Sequence, residues 1–93
     1  MFKTNSYFND KVVSIAFEGQ DGPATVGVMA PGEYEFSTSK QEHMKVVSGS
    51  MLVKLPGKES FEEYSNGEVF IVEANCKFQV KLVEDTSYLC LYK

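Results

Sequence analysis

Ninety-three residues suffice for one domain and one core, since a chain of this size buries only about two-thirds of the surface its unfolded form exposes. With 43% hydrophobic and 24% charged residues, the composition is that of an ordinary folded protein and excludes disorder and low complexity. The net charge is −4 and all nine basic residues are lysines, which argues against a nucleic acid as the main partner because phosphate tracking and base readout draw on clustered Arg and Lys.

Along the chain the dominant pattern is alternation with period two, in short runs separated by turn residues roughly every eight to twelve positions. The first run, Lys11 to Phe17, sets Val13, Ile15 and Phe17 against Val12, Ser14 and Ala16, and it ends in the turn formers Glu18-Gly19-Gln20-Asp21-Gly22-Pro23. Ala24 to Met29 follows, and Pro31-Gly32 makes the next turn. Glu33 to Ser37 then alternates acid with aromatic. Further runs at Met44–Val47, Ser50–Leu55, Glu62–Tyr64, Val69–Val72, Lys77–Val83 and Thr86–Tyr92 bring the expected total to about nine strands.

Ser48-Gly49-Ser50 leaves no room for a long loop, and Ser65-Asn66-Gly67 carries the Asn-Gly pair favoured in tight hairpins. Consecutive strands are therefore expected to be antiparallel neighbours. No stretch offers a helical crossover of about 10 to 15 residues, so a parallel α/β sheet is set aside. The expected architecture is a single all-β domain over residues 1–93, its antiparallel strands closed into a β-barrel or jelly roll that hides their edges.

Met1-Phe2-Lys3-Thr4-Asn5 is not followed by the apolar stretch of a secretory leader, and no run is long enough to cross a bilayer. Cys76 and Cys90 lack CxxC spacing. Reduced thiols in a cytoplasmic protein are the expectation.

One spacing points to a site. Glu42, six intervening residues and Gly49, followed by an apolar strand, resemble the second half of the first cupin motif, Gly-x5-His-x-His-x3-4-Glu-x6-Gly. The two histidine positions fall on Glu35 and Ser37, and the leading glycine falls on Met29. The second cupin motif, laid on Gly67, places Phe78 where its histidine would be. Of the usual four ligands only Glu42 is left, and one carboxylate does not hold a transition metal. No metal and no other cofactor is expected. His43, the lone histidine, points to the strand face opposite Glu42 and reads as a surface residue.

A closer resemblance covers nearly the whole chain. Ser14-Ile15-Ala16-Phe17, Val26-Gly27-Val28-Met29, Gly32-Glu33-Tyr34-Glu35-Phe36-Ser37-Thr38, Val47-Ser48-Gly49 and Thr86-Ser87-Tyr88-Leu89-Cys90 look, in order and spacing, like the small single-domain cupins known as pyrimidine/purine nucleoside phosphorylases. The resemblance implies a cupin-type barrel, paired as a homodimer in the manner of cupins, and a broad-specificity phosphorolysis. In that reaction a nucleoside and inorganic phosphate give ribose 1-phosphate and a free purine or pyrimidine base.

Such chemistry asks for a phosphate site, stabilisation of an oxocarbenium-like sugar and help for the departing base. Glu42 and Glu35 share the phase of the metal-ligand positions and are the candidate catalytic pair, because a carboxyl group can stabilise developing positive charge or, when buried, donate a proton. Ser37 and Thr38 hydroxyls, backbone N–H groups and a lysine such as Lys40 or Lys45 are candidates for phosphate. Tyr34, Phe78 and Tyr88 are candidates for substrate contact, Phe78 by stacking and Tyr88 by a hydrogen bond. Competing readings stand beside these: Tyr34 and Phe36 as core with Glu33 and Glu35 outward, Phe78 with Val80 and Leu82 as a core stripe, and Cys90 as buried and inert. The functional alternative is a non-catalytic cupin that binds a nucleoside or another small metabolite.

Overall fold

The computed structural model describes residues 2–93. They form ten strands: β1 (Lys3–Tyr7), β2 (Val12–Gly19), β3 (Gly22–Met29), β4 (Gly32–Ser37), β5 (Glu42–Ser48), β6 (Ser50–Lys54), β7 (Glu62–Ser65), β8 (Val69–Val72), β9 (Lys77–Leu82) and β10 (Thr86–Tyr92). Among the described residues no helix is long and apolar enough to cross a membrane. The extra strand relative to expectation is β1. Its sequence, Lys-Thr-Asn-Ser-Tyr, has no apolar alternation because it is an exposed edge strand paired on one side only, with β2.

All pairings are antiparallel. They build two sheets, a large one in the order β1-β2-β3-β10-β5-β8 and a small one in the order β4-β9-β6-β7. The sheets lie face to face and are not hydrogen-bonded into one closed barrel, so the expected closure is replaced by a two-layer packing with edges. Consecutive strands are neighbours only at β1-β2, β2-β3 and β6-β7. Elsewhere the chain steps from one sheet to the other, as a jelly-roll path requires.

The Ser-Gly-Ser and Asn-Gly segments show why local turn chemistry misjudged the pairing. Gly49 has φ +108°, and a Cβ there would lie 2.5 Å from Thr86 Oγ1 and 3.0 Å from Asp85 O. Only glycine lets the chain leave β5 so closely past β10 and enter the small sheet. Gly49 N–H donates to Asn66 Oδ1 at 2.7 Å. The Asn-Gly turn therefore ties one sheet crossing to another, and Gly67 N–H completes the tie by donating to Val46 O at 2.7 Å.

Alternation does fix the faces. Val12, Met29, Met44, Val46, Phe70, Val72, Tyr88 and Cys90 of the large sheet meet Tyr34, Met51, Val53, Phe78, Val80 and Leu82 of the small one in a single core. A run of aromatic contacts threads it, Phe36–Phe78 at 5.6 Å, Phe78–Phe70 at 6.2 Å and Phe70–Tyr64 at 4.8 Å between ring centroids. Each such pair contributes about 0.5–1.5 kcal/mol beyond area burial. On one side β5 packs toward β7 and shuts the layers. On the other, the edges β1 and β4 leave them open.

Candidate functional site

The open side leads into a cavity of ≈ 370 Å³ between the inner face of the large sheet and β4-β9 of the small one. Three strands of the large sheet make its polar wall. On β10 the period-two alternation turns Tyr88, Cys90 and Tyr92 inward and Leu89 and Leu91 outward. Register then sets Tyr92 opposite Glu42 on β5, and Cys90 opposite both Met44 on β5 and Thr25 on β3. Tyr88 stands opposite Gly27 on β3, and Gly27 opposite Ser14 on β2. Gly27 makes room for the tyrosine: a Cβ there would lie 2.7 Å from the Tyr88 hydroxyl oxygen.

Glu42 is half-buried in this wall, and the Cys90 thiol donates to its Oε1 at 3.6 Å. Thr25 Oγ1 and the Tyr92 hydroxyl share a hydrogen bond of 3.0 Å. Burial raises the Glu42 carboxyl above its ordinary value of 4.5, partly offset by the Cys90 hydrogen bond. Burial pushes the Tyr88 hydroxyl up to about 12. The Cys90 thiol is likewise pushed up to about 12, first by burial and then by the Glu42 charge. Burial also raises Tyr92. The wall is thus one carboxyl group whose hold on its proton is strengthened by burial, set among neutral hydroxyl and thiol groups. It can hold a polar, hydroxylated ligand and hand it a proton.

The opposite wall is apolar, with Phe36 and Phe78, and Ser37, exposed and in the outward phase of β4, brings its hydroxyl only to the rim. Among the described residues no three His, Cys, Asp or Glu side chains lie close enough to hold a metal ion.

Of the residues singled out in the sequence, Glu42, Phe78 and Tyr88 come together around the cavity, and Ser37 reaches its rim. Glu35 does not share the inward phase of Glu42. Tyr34 is buried and Phe36 half-buried on the inner face, so Glu35 is exposed and reaches only the cavity's rim. Tyr34 lies outside the cavity, with its hydroxyl donating to Ala30 O at 2.6 Å. Thr38 is buried and serves the fold: its hydroxyl donates to Glu73 O at 2.6 Å and accepts from Cys76 N–H at 3.0 Å. Lys45 follows the inward Met44 and so faces out from the large sheet, while Lys40 is exposed in the β4–β5 connection. No lysine lines the cavity. His43 is on the outer face, its Nε2 2.8 Å from Gln41 Oε1.

Cys90 is buried, as expected, and its contact with Glu42 makes it part of the site. Cys76 and Cys90 are both free. Tyr92, which the sequence sets in the same phase as Tyr88 as another hydrogen-bond donor, lines the cavity too; sequence reasoning passed over Thr25 and Ser14, although a hydroxyl at the inward phase of an otherwise apolar strand was a legible signal for both. It also passed over Tyr7 and Phe8, which lie in a segment without alternation.

The chain is similar throughout its length to a protein of Pseudomonas entomophila named pyrimidine/purine nucleoside phosphorylase, with 61% identity over 93 residues, 100% of this chain and 99% of the relative. A crystal structure of a protein of unknown function from Vibrio parahaemolyticus superposes with a TM-score of 0.93 at 43% identity, covering 97% of this chain and 96% of that one. The fold alone is shared with the Clostridium difficile EutQ protein, at TM-score 0.70 and 13% identity over 85% of this chain and 59% of that one. The sequence model of the pyrimidine/purine nucleoside phosphorylases matches residues 2–92. A match over this span, with relatives of that name at such identity, places the chain in the pyrimidine/purine nucleoside phosphorylase family.

Proposed function

We propose that the protein is a metal-independent nucleoside phosphorylase of broad specificity, built on a cupin-type fold, that converts a nucleoside and inorganic phosphate into ribose 1-phosphate and a free purine or pyrimidine base. The observation that carries this reading is the half-buried Glu42 carboxyl, raised by burial and held by the Cys90 thiol in a cavity wall whose other polar groups, on β2, β3 and β10, are neutral hydroxyls and a thiol. As the C1′–N bond breaks, the base leaves with its electron pair and takes the Glu42 proton. A phosphate oxygen forms the new C1′–O bond, and the proton phosphate gives up restores the carboxyl.

The developing charge on the sugar is compensated as Glu42 becomes a carboxylate. Ser37 and main-chain N–H groups take the phosphate in place of a guanidinium, since the chain has no arginine. Tyr88 supplies a hydroxyl to the substrate, Phe78 an apolar wall, and Glu35 at the rim remains within the proposed set. Thr38 and Tyr34 act by holding the β4 end of the cavity in place. Breadth of specificity follows from aromatic and aliphatic walls, because every base offers a π-face to them.

Two further elements belong to the proposal. Free thiols at Cys76 and Cys90 suit a reducing compartment, the cytoplasm. The outer face of the large sheet suits a second copy of the chain in a homodimer: Val13, Ile15, Val26, Val28, Val47, Val69 and Ile71 are each 37–51% exposed there.

Incubation of the purified protein with uridine or adenosine, with and without phosphate, tests the reaction. Base release is expected only with phosphate and unchanged by a chelator, and Glu42→Gln is expected to lower kcat about 100-fold or more. Release independent of phosphate, or an undiminished Glu42→Gln variant, would refute the mechanism. Binding without turnover would leave the chain a nucleoside-binding module.

A further inference from the structure

The phosphorolysis reading assigns the sugar and phosphate end of the cavity and leaves the base without a specific holder. The turn from β1 to β2 supplies one. Phe8, Asn9 and Asp10 have φ of 54°, 56° and 66°, three successive non-glycine residues in the left-handed region. L-residues visit that region as single positions, Asn and Asp several times more readily than bulky side chains. Asn9 and Asp10 are therefore apt for the turn, and Phe8 is the anomaly.

The turn is held from several sides. The Ser6 hydroxyl donates to the Asp10 carboxylate, Lys11 N–H donates to Phe8 O at 3.2 Å, and Ala30 N–H donates to Lys11 O at 2.7 Å. Such over-determined strain is found where a side chain must be aimed. Here the backbone carries the Phe8 ring across the open side of the molecule, from the edge strand of one sheet to the edge strand of the other. Its ring centroid lies 5.0 Å from that of Tyr34 and 5.7 Å from that of Phe36, edge-on to the latter. Burial is not what this placement achieves. Phe8 stays 43% exposed and Tyr7 beside it 49%, and both line the cavity mouth above Phe36 and Phe78.

We propose that Phe8 is the base-stacking, specificity-determining residue of this site: backed by Tyr34 and Phe36, its exposed face receives the nucleobase of the substrate at the mouth while the ribose lies toward Glu42. The ligand class, a nucleoside, rests on the phosphorolysis reading. Stacking on an aromatic platform tolerates purine and pyrimidine alike.

The chain contains no tryptophan, so Phe8→Trp places a single indole at the mouth, where a stacked base quenches its fluorescence. Saturable quenching by adenosine and by uridine is expected, and none by ribose 1-phosphate, which lacks a base. Phe8→Leu keeps apolar bulk without the π-face. It is expected to raise KM for the nucleoside about 10-fold, the scale of one lost base–aromatic stack, and to leave KM for phosphate unchanged. Absence of saturable quenching by either nucleoside, or a Phe8→Leu enzyme with the wild-type nucleoside KM, overturns the proposal. Saturable, base-dependent quenching with no turnover by the wild-type protein would retain the stacking role and discard phosphorolysis, so the two failures are distinguishable.

Discussion

Glu42 owes its chemistry to where β5 and β10 place it. A carboxyl whose pKa is raised on folding contributes stability fully only below its unfolded value, near 4.5, and that contribution is lost as pH rises through the folded value. Glutamine has the same shape and does not titrate. Glu42→Gln is therefore expected to become more stable than the wild type as pH rises above about 4.5, with the gap levelling once Glu42 is ionised in the folded protein. Urea midpoints of both proteins between acid and neutral pH would read this directly, and parallel profiles would show that Glu42 is not destabilised by burial. A variant that gains stability while losing turnover fits a residue retained for chemistry. Of the two glutamates marked in the sequence, Glu42 proves to be the inward one. The Glu35 alternation admitted two phases, and the burial of Tyr34 chose the outward one.

At the scale of elements, the site depends on how closely β3 and β10 approach. The Tyr88 ring lies over Gly27, whose added Cβ would meet Tyr88 Oη and Val13 O, both at 2.7 Å. One of those atoms is backbone and cannot swing away. Gly27→Ala is expected to cost about 1–3 kcal/mol, the usual range for overpacking, and to push Tyr88 toward the cavity. Chemical denaturation measures the first effect, and a rise in KM for the nucleoside would report the second. Unchanged stability would mean that β3 shifts freely, contrary to its pairing with both β2 and β10. Strand identity was legible here because alternation is local. That Gly27 sits beneath an aromatic ring was not, since the ring comes from a strand some sixty residues away.

For the molecule as a whole, the outer face of the large sheet is the unusual surface. Its valines and isoleucines are interrupted only by a few polar side chains such as Lys45 and His43, and contiguous apolar patches of this kind are normally covered by a partner. A two-fold pairing sets the same patch against itself, which an apolar surface with little charge permits. The protein is expected to sediment as a dimer. Val26→Lys combined with Ile71→Lys is expected to shift it to monomer with the fold intact by circular dichroism. A wild-type protein that sediments as a single 93-residue chain at micromolar concentration would refute the pairing.

Sequence alone determined the all-β class, nine of the ten strands and the family, because period-two alternation and short motifs are written in neighbouring residues; it offered Glu42, Phe78 and Tyr88 as candidates without choosing the face they take. It missed β1, which buries little on either face and so carries no alternation. Tertiary structure decided which strands are neighbours, that the sheets stay open along β1 and β4, and that Cys90, Thr25 and Tyr92 converge near Glu42. Those are contacts between residues far apart in the chain, set by how two sheets stack and by where glycine lets the chain cross between them, and no local pattern encodes them.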